Sequence, residues 1–258
     1  MSDITGGALV ARMLAAEGVE VVFGIIDGSY WGLYGSLRDV GIRLVTPRHE
    51  TSAVHMAGAY ARLTGKLGVA IASNGPGAAN ALAGVAVENG EGNRVLLVTS
   101  WRRSPIVGPD RGGTYQYFDQ VAAIRPMAKW SEAAVRGDRI PELVRRALRR
   151  SWQGRPGVVH LCVPEDLVNG PVAADADALA SPVRYRRSEP IAPPASLVRD
   201  AADRLLAATQ PMIHAGSGVL HARATAELRE LAEVLRAPIT TSWAARDVVS
   251  ETSRVAIP

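Results

Sequence analysis

The chain has 258 residues, 47% of them apolar but only 5% aromatic, with one cysteine and a formal net charge of +4. That length and apolar content let the chain bury a sizeable core, so it need not be disordered, and allow one full α/β domain with part of a second. The single cysteine excludes a disulfide framework and a cysteine-based metal centre, and an apolar fraction dominated by Ala, Val and Leu suits helices packed on a parallel sheet better than an aromatic-rich sandwich.

In chain order, Thr5 caps a helix whose apolar positions are Leu9, Val10, Met13 and Leu14, stopped at Gly18. Residues 19–23 read as a strand closed by Gly24. A helix fits 30–39, ended by Gly41, and 42–45 is the next strand. His49-Glu50 opens a helix to about Thr64, ended by Gly65. Residues 67–72 are a strand followed by the turn Asn74-Gly75-Pro76-Gly77, a small-residue helix over 78–87 and a strand over 95–99. This alternation predicts βαβ units and a parallel sheet. Residues 101–126, rich in Gly, Pro and Arg, break the rhythm and read as a long loop of the kind that carries function.

A helix at 140–153 follows, its stripe of Ile140, Leu143, Val144, Ala147, Leu148 and Trp152 facing the core. Arg145, Arg146, Arg149 and Arg150 fall between those positions and make a solvated face. Lys66 and Lys129 are the only lysines, so the pI near 9.6 is an arginine effect. Without interleaved aromatics or a recognition motif, it does not point to nucleic acid. The strand at 157–163 holds Cys162 as a small buried hydrophobe.

Residues 171–194, rich in Pro, Ala, Asp and Arg without periodicity, read as a linker. A second α/β pattern opens with a helix over 196–208, a strand over 212–215, the turn Gly216-Ser217-Gly218, a helix over 222–235 and a strand over 239–242. The domain reading is therefore 1–170, a linker at 171–194, and 195–258 as the first part of an incomplete Rossmann-like domain. No apolar stretch reaches the roughly 20 residues of a membrane span, and the first five residues lack the marks of a signal peptide, so a cytoplasmic protein is expected.

Glu50 stands after a strand and at a helix start, where chemistry is favoured in open parallel sheets, although acidic residues serve the helix dipole there too. The Asn74–Gly77 turn holds the same kind of position, and its glycines let backbone approach a flat ligand or simply turn the chain. It lacks the spacing and ending of a phosphate loop. Gly216-Ser217-Gly218 lacks the third glycine of a dinucleotide fingerprint, so FAD or NAD has no positive support. His49 and His55 have no carboxylate spacing that suggests a metal site, and no metal ligand set is assigned.

Taken together, the ordered pieces resemble the acetohydroxyacid (acetolactate) synthase family of thiamin-diphosphate enzymes. They are Phe23-Gly24, Arg48-His49-Glu50, the 55–62 stretch His-Met-Ala-Gly-Ala-Tyr-Ala-Arg, Thr64-Gly65, Gly75-Pro76-Gly77-Ala78, Asn80, Gln116, Arg125-Pro126 and Gly154-Arg155-Pro156-Gly157. The resemblance covers essentially the whole chain, from about Thr5 to Pro258. It implies an α/β fold, with a three-layer, parallel-sheet pyrimidine-binding domain followed by the incomplete central domain.

By the resemblance, Glu50 is catalytic: it hydrogen-bonds the cofactor's aminopyrimidine so that the ring can take the thiazolium C2 proton, a task eased where an apolar pocket raises the carboxyl pKa. Ser73, Gly75, Pro76, Gly77 and Asn80 line the pyrimidine side, and Ile26, Tyr115 and Gln116 face the substrate, with Gln116 also catalytic. Ile25-Ile26-Asp27-Gly28 stands where the synthases have Pro-Gly-Gly shortly after Phe-Gly. Ser100-Trp101 replaces their Gly-Gln, Tyr115 their Phe, and Gln116-Tyr117 their Gln-Glu.

Phe23-Gly24-Ile25-Ile26 with Asn74-Gly75-Pro76-Gly77 is also similar to sulfoacetaldehyde acetyltransferase, and decarboxylases and lyases of the superfamily stay open as alternatives. Family members hold the diphosphate through Mg2+ in a domain with Gly-Asp-Gly and a downstream Asn, and no such motif occurs in this sequence. The implied partners are therefore a diphosphate-binding domain or subunit, in a homo-oligomer or split-subunit assembly, together with a small carbonyl substrate. A non-catalytic or regulatory truncated subunit is the alternative of another class.

Overall fold

The computed structural model describes residues 4–107, 115–173, 179–187 and 191–257; residues 108–114 of the expected loop and 174–178 and 188–190 of the expected linker lie outside the described residues. The chain divides into two compact units, Met1–Ser188 and Glu189–Pro258.

In the first unit the strands are β1 (Ile4–Thr5), β2 (Val21–Gly24), β3 (Arg43–Val45), β4 (Gly68–Ala72), β5 (Val95–Trp101), β6 (Trp130–Ala133), β7 (Val158–Pro164) and β8 (Pro171–Val172). The helices are α1 (Gly6–Ala16), α2 (Trp31–Leu37), α3 (Glu50–Thr64), α4 (Pro76–Glu91), α5 (Ser104–Val107), α6 (Gln120–Ile124), α7 (Ile140–Trp152) and α8 (Glu165–Asn169). Six strands form one parallel sheet in the order β3-β2-β4-β5-β7-β6, and β1 pairs antiparallel with β8.

Two cores cover the two faces of this sheet, which makes three layers. On one face Val22, Val69, Ile71, Leu96, Val98, Val159 and Leu161 pack with α1, α2 and α7. On the other Val21, Phe23, Ala70, Ala72, Val95, Leu97 and Val158 pack with α3, α4 and α6. Strands covered on both sides need no polar alternation, and β4 and β7 are buried along their whole length. The buried stripe of α7 keeps Ile140, Leu143, Val144, Ala147 and Leu148 of the predicted positions, but Ser151 is buried while Trp152 is only half-buried; Cys162 is buried.

Several segments of the first unit differ from the sequence reading. The expected loop holds α5 and α6, with Asp119 capping α6 through Ala122 N at 2.9 Å and Ile124 entering the core. Strand β6 went unread because Trp-Ser-Glu-Ala has no apolar run; it is an edge strand held by pairing with β7 alone. Residues 182–187, expected as linker, pack on the first unit, where Arg186 meets Glu17 at 2.7 Å and lies over the Trp152 ring.

The second unit contains α9 (Ala195–Leu206), β9 (Ile213–Ala215), α10 (Gly218–Ala222), α11 (Thr225–Leu235) and β10 (Ile239–Thr241), with β9 and β10 parallel. The expected helix at 222–235 is split from α10 by Arg223 at φ 56°. Ala215, Ala232, Ile239, Ala245 and Val248 form its small core.

Candidate cofactor and substrate site

The order of strands locates the site. From β2 the chain moves outward to β3, then returns past β2 to β4, so the connections diverge between β2 and β4. In open α/β sheets, ligands bind at such a switch, beyond the carboxyl ends of the strands. The segments leaving those ends are Ile25–Gly28 after β2 and Ser73–Gly75 after β4, with Glu50 following β3 at the start of α3.

Glu50 enters the site because α3 starts there, with His49 Nδ1 accepting from Thr51 N at 3.2 Å as the cap. The residue is 8% exposed, and its Oε2 accepts from Asn80 Nδ2 at 3.0 Å. Its Oε1 lies over Gly77: a Cβ there would stand 3.2 Å from that oxygen and 2.4 Å from Ser73 Oγ. Glu50, Ser73, Gly77 and Asn80 therefore converge, with one carboxylate oxygen fixed and the other facing a spot that a side chain would fill. His55, further along α3, pairs with the buried Glu88 at 2.6 Å and so has a structural partner.

Gly75 precedes α4 at φ 59° and ψ −113°, a conformation that L side chains avoid, and Pro76 opens the helix. A Cβ on Gly75 would stand 2.4 Å from Gln116 Cα and 2.9 Å from Tyr115 O, so segment 115–116 is laid directly on the turn. Asn74 is 1% exposed, and neither end of its amide has a hydrogen-bond partner among the described residues. A buried amide left open this way costs free energy unless something completes it.

A cleft of about 490 Å³ is lined by Asp27, Ser29, Arg102, Gln116, Glu165 and Asn169 among others. Asp27 Oδ1 caps the turn at Ser29 N, 2.8 Å away, and Ser29 Oγ meets Ser100 Oγ at 2.7 Å. Asn169 Nδ2 donates to Ser29 O at 3.0 Å. The Trp101 ring stacks on Tyr117 with centroids 6.1 Å apart, and its Nε1 donates to Phe118 O. Of the expected substrate-side residues, only Gln116 lines the cleft; Ile26 and Tyr115 are 65% and 82% exposed. Burial, with the charges of Asp27 and Glu50 nearby, raises the Tyr34 hydroxyl above the usual phenol value while it donates to Ile25 O.

Sequence reasoning missed Ser29, Arg102, Glu165 and Asn169 as lining residues, and took Asp27 only as a departure from the synthase pattern and Asn74 only as part of the turn. A signal existed for some: Arg102 and Glu165 directly follow the ends of β5 and β7 at the ligand edge of the sheet. Within the sheet, His160 on β7 bridges Thr99 and Ser131 at 2.8 Å each, and burial pulls its pKa down to about 3. Burial likewise pushes the Cys162 thiol up to about 12, which removes it from nucleophilic use.

A buried carboxylate at the switch crevice, bare backbone at Gly75 and Gly77 and an unfilled amide at Asn74 suit a flat heteroaromatic ring carrying hydrogen-bonding nitrogens. Residues 4–123 match the thiamine pyrophosphate enzyme N-terminal TPP binding domain, and 198–257 match the thiamine pyrophosphate enzyme central domain. The chain belongs to the thiamine pyrophosphate (thiamin diphosphate) enzyme family.

It is 36% identical over 246 residues to a probable 2-ketoarginine decarboxylase of Pseudomonas aeruginosa, covering 95% of this chain and 43% of that one. Over 255 residues it is 32% identical to an acetolactate synthase of Mycobacterium bovis, covering 98% and 40%. A probable acetolactate synthase large subunit of Methanococcus aeolicus is 31% identical over 256 residues, covering 98% and 42%. The chain thus spans about two fifths of the length of these relatives. Among the described residues, no helix is long and apolar enough to cross a membrane.

Proposed function

We propose that this chain forms the pyrimidine side of a thiamin-diphosphate site that makes or breaks a C–C bond next to the carbonyl of a 2-keto acid or related donor. The observation that carries the reading is Glu50: buried, held on one oxygen by Asn80, and open on the other toward Gly77 at the switch crevice. When bound, the cofactor supplies a nucleophilic carbon that stores the electron pair of the cleaved bond. Glu50's part is to hold a proton at the ring nitrogen facing Oε1, with Asn80 keeping the carboxyl from rotating away. Ser73, Gly75, Pro76 and Gly77 shape the surface on which the ring lies, and Gln116 faces the donor.

The relatives' names support a keto-acid donor, since one is a decarboxylase of 2-ketoarginine and others are acetolactate synthases. They divide between a lyase and a transferase outcome, and the proposal stays with the step before that division. The diphosphate and Mg2+ belong to a further domain or subunit that completes the site in an oligomer.

The test is exchange of the cofactor C2 proton, followed by proton NMR in the loaded enzyme. Glu50→Gln is expected to slow it by about 10²–10⁴-fold. Exchange as fast as in the wild type, with cofactor bound, would falsify the role of Glu50.

A further inference from the structure

Arg102 belongs to none of the motifs above, yet it touches the one expected substrate-side residue that lines the cleft. Its Nη1 lies 3.3 Å from Gln116 Oε1 and 3.4 Å from Glu165 Oε2. The other oxygen of Glu165 accepts from Arg103 Nε at 2.9 Å. Arg102 and Glu165 arise at the same height, because their predecessors Trp101 and Pro164 are register partners at the ends of β5 and β7. Glu165 is only 8% exposed, whereas the Arg103 side chain is mostly in solvent. A buried carboxylate at the start of α8, beside the end of the neighbouring strand β5, is thus a fixed anchor for Arg102.

The chemistry of the contact sets an orientation. A primary amide has two ends of nearly the same shape, one accepting and one donating. A guanidinium has donors only, so the oxygen end of Gln116 faces it and a flipped amide would set donor against donor. With its oxygen toward Arg102, the Gln116 amide presents N–H elsewhere, and the cation polarises those N–H groups. A donor of this kind favours a carbonyl oxygen that gains negative charge during bond making or breaking.

We propose that Arg102, anchored on Glu165, is a positioning residue that fixes the Gln116 side chain with its amide N–H end toward the donor's carbonyl oxygen. The inference rests on the donor class proposed above.

The test is a double-mutant cycle in the holoenzyme with thiamin diphosphate and Mg2+, using whichever of pyruvate, 2-ketobutyrate and 2-ketoarginine the wild type turns over fastest. Arg102→Met and Gln116→Met are each expected to lower kcat by about ten- to a hundredfold, with donor KM within about threefold. The double variant should be no slower than Gln116→Met alone, because Arg102 acts only through that amide. Arg102→Lys should recover part of the loss, and C2-proton exchange should be unchanged throughout.

Losses that multiply in the double variant, or that fall on KM alone, overturn the proposal. Near-UV circular dichroism of the Trp101–Tyr117 stack checks folding, and if Arg102→Met does not fold, Glu165→Gln carries the same comparison. Failure of the wild type to turn over any of the three donors while its C2 proton exchanges sinks the donor class, and this inference with it. Slow exchange in the wild type instead sinks the cofactor reading.

Discussion

The two sides of the crevice are held by different forces. On the Glu50 side the shape is set by backbone: Gly75 at φ 59°, Pro76 at the helix start, and Gly77 with no room for a Cβ beside Ser73. On the Arg102 side it is set by side chains reaching across the sheet edge: the Arg102–Glu165 pair, the Ser29–Ser100 hydroxyls and the Trp101–Tyr117 stack. A backbone-built wall tolerates no substitution at its glycines, because the strain is local and has no slack. A side-chain wall can be rebuilt piece by piece. The positions that depart from the synthase pattern gather there: Ser100 meets Ser29, two residues beyond Asp27 Oδ1's turn start, and Trp101 meets Tyr117. The Glu50 side keeps the residues that carry the resemblance, and the Arg102 side holds most of the departures from it.

The hardest blow to this contrast is Gly75→Ala. The substitution adds positive-φ strain to a contact 2.4 Å from Gln116 Cα, so segment 115–116 must lift off the turn. A stability loss of about 3 kcal/mol in urea denaturation, together with weakened thiamin diphosphate binding, is expected. Wild-type stability and binding would mean that the turn has slack and the backbone wall is not rigid.

A smaller effect is expected on the other side. Glu165→Ala removes the anchor of two guanidiniums, one of them partly buried, and should cost about 2 kcal/mol by the same measurement, with binding of thiamin diphosphate retained. Equal damage to cofactor binding by both substitutions would merge the two walls into one.

The mildest probe is pH, read at the buried His160 between β5 and β6. His160 has a folded pKa of about 3 against an ordinary 6.5, so as pH falls the unfolded chain binds this proton first. Its contribution to stability is full above about pH 6.5 and is lost between 6.5 and 3, at up to about 1.4 kcal/mol per pH unit. His160→Gln should flatten the acid limb of stability over pH 4–6. An unchanged slope would place the acid sensitivity in other groups.

Much of this molecule was readable from its residues. The alternation of apolar runs and helical stripes named five of the six strands of the main sheet and all but one of the helices that cover it, because burial on both faces leaves an apolar run in the chain. The edge strand at Trp130–Ala133 and the short helix at Gln120–Ile124 left no such trace. Each is stabilised by a neighbour distant in sequence, β7 for the strand and the core beneath α4 for the helix. Glu50 and the Gly75–Gly77 turn were legible for the same reason that they are rigid: a required backbone conformation restricts which residue can stand there. Asn80 was named only through family resemblance, and its hold on Glu50, thirty residues away, was not legible at all.

The sequence by itself determined the layers, the place of Glu50 at a strand-to-helix junction and the glycines of the turn, since these follow from local periodicity and backbone freedom. Only the tertiary structure decided which strand ends are neighbours. That choice put Arg102 beside Glu165 and Gln116, left the Asn74 amide buried and open, and gave the cleft its lining. Contacts of this kind join residues far apart in the chain, and their energy depends on geometry that no local pattern records.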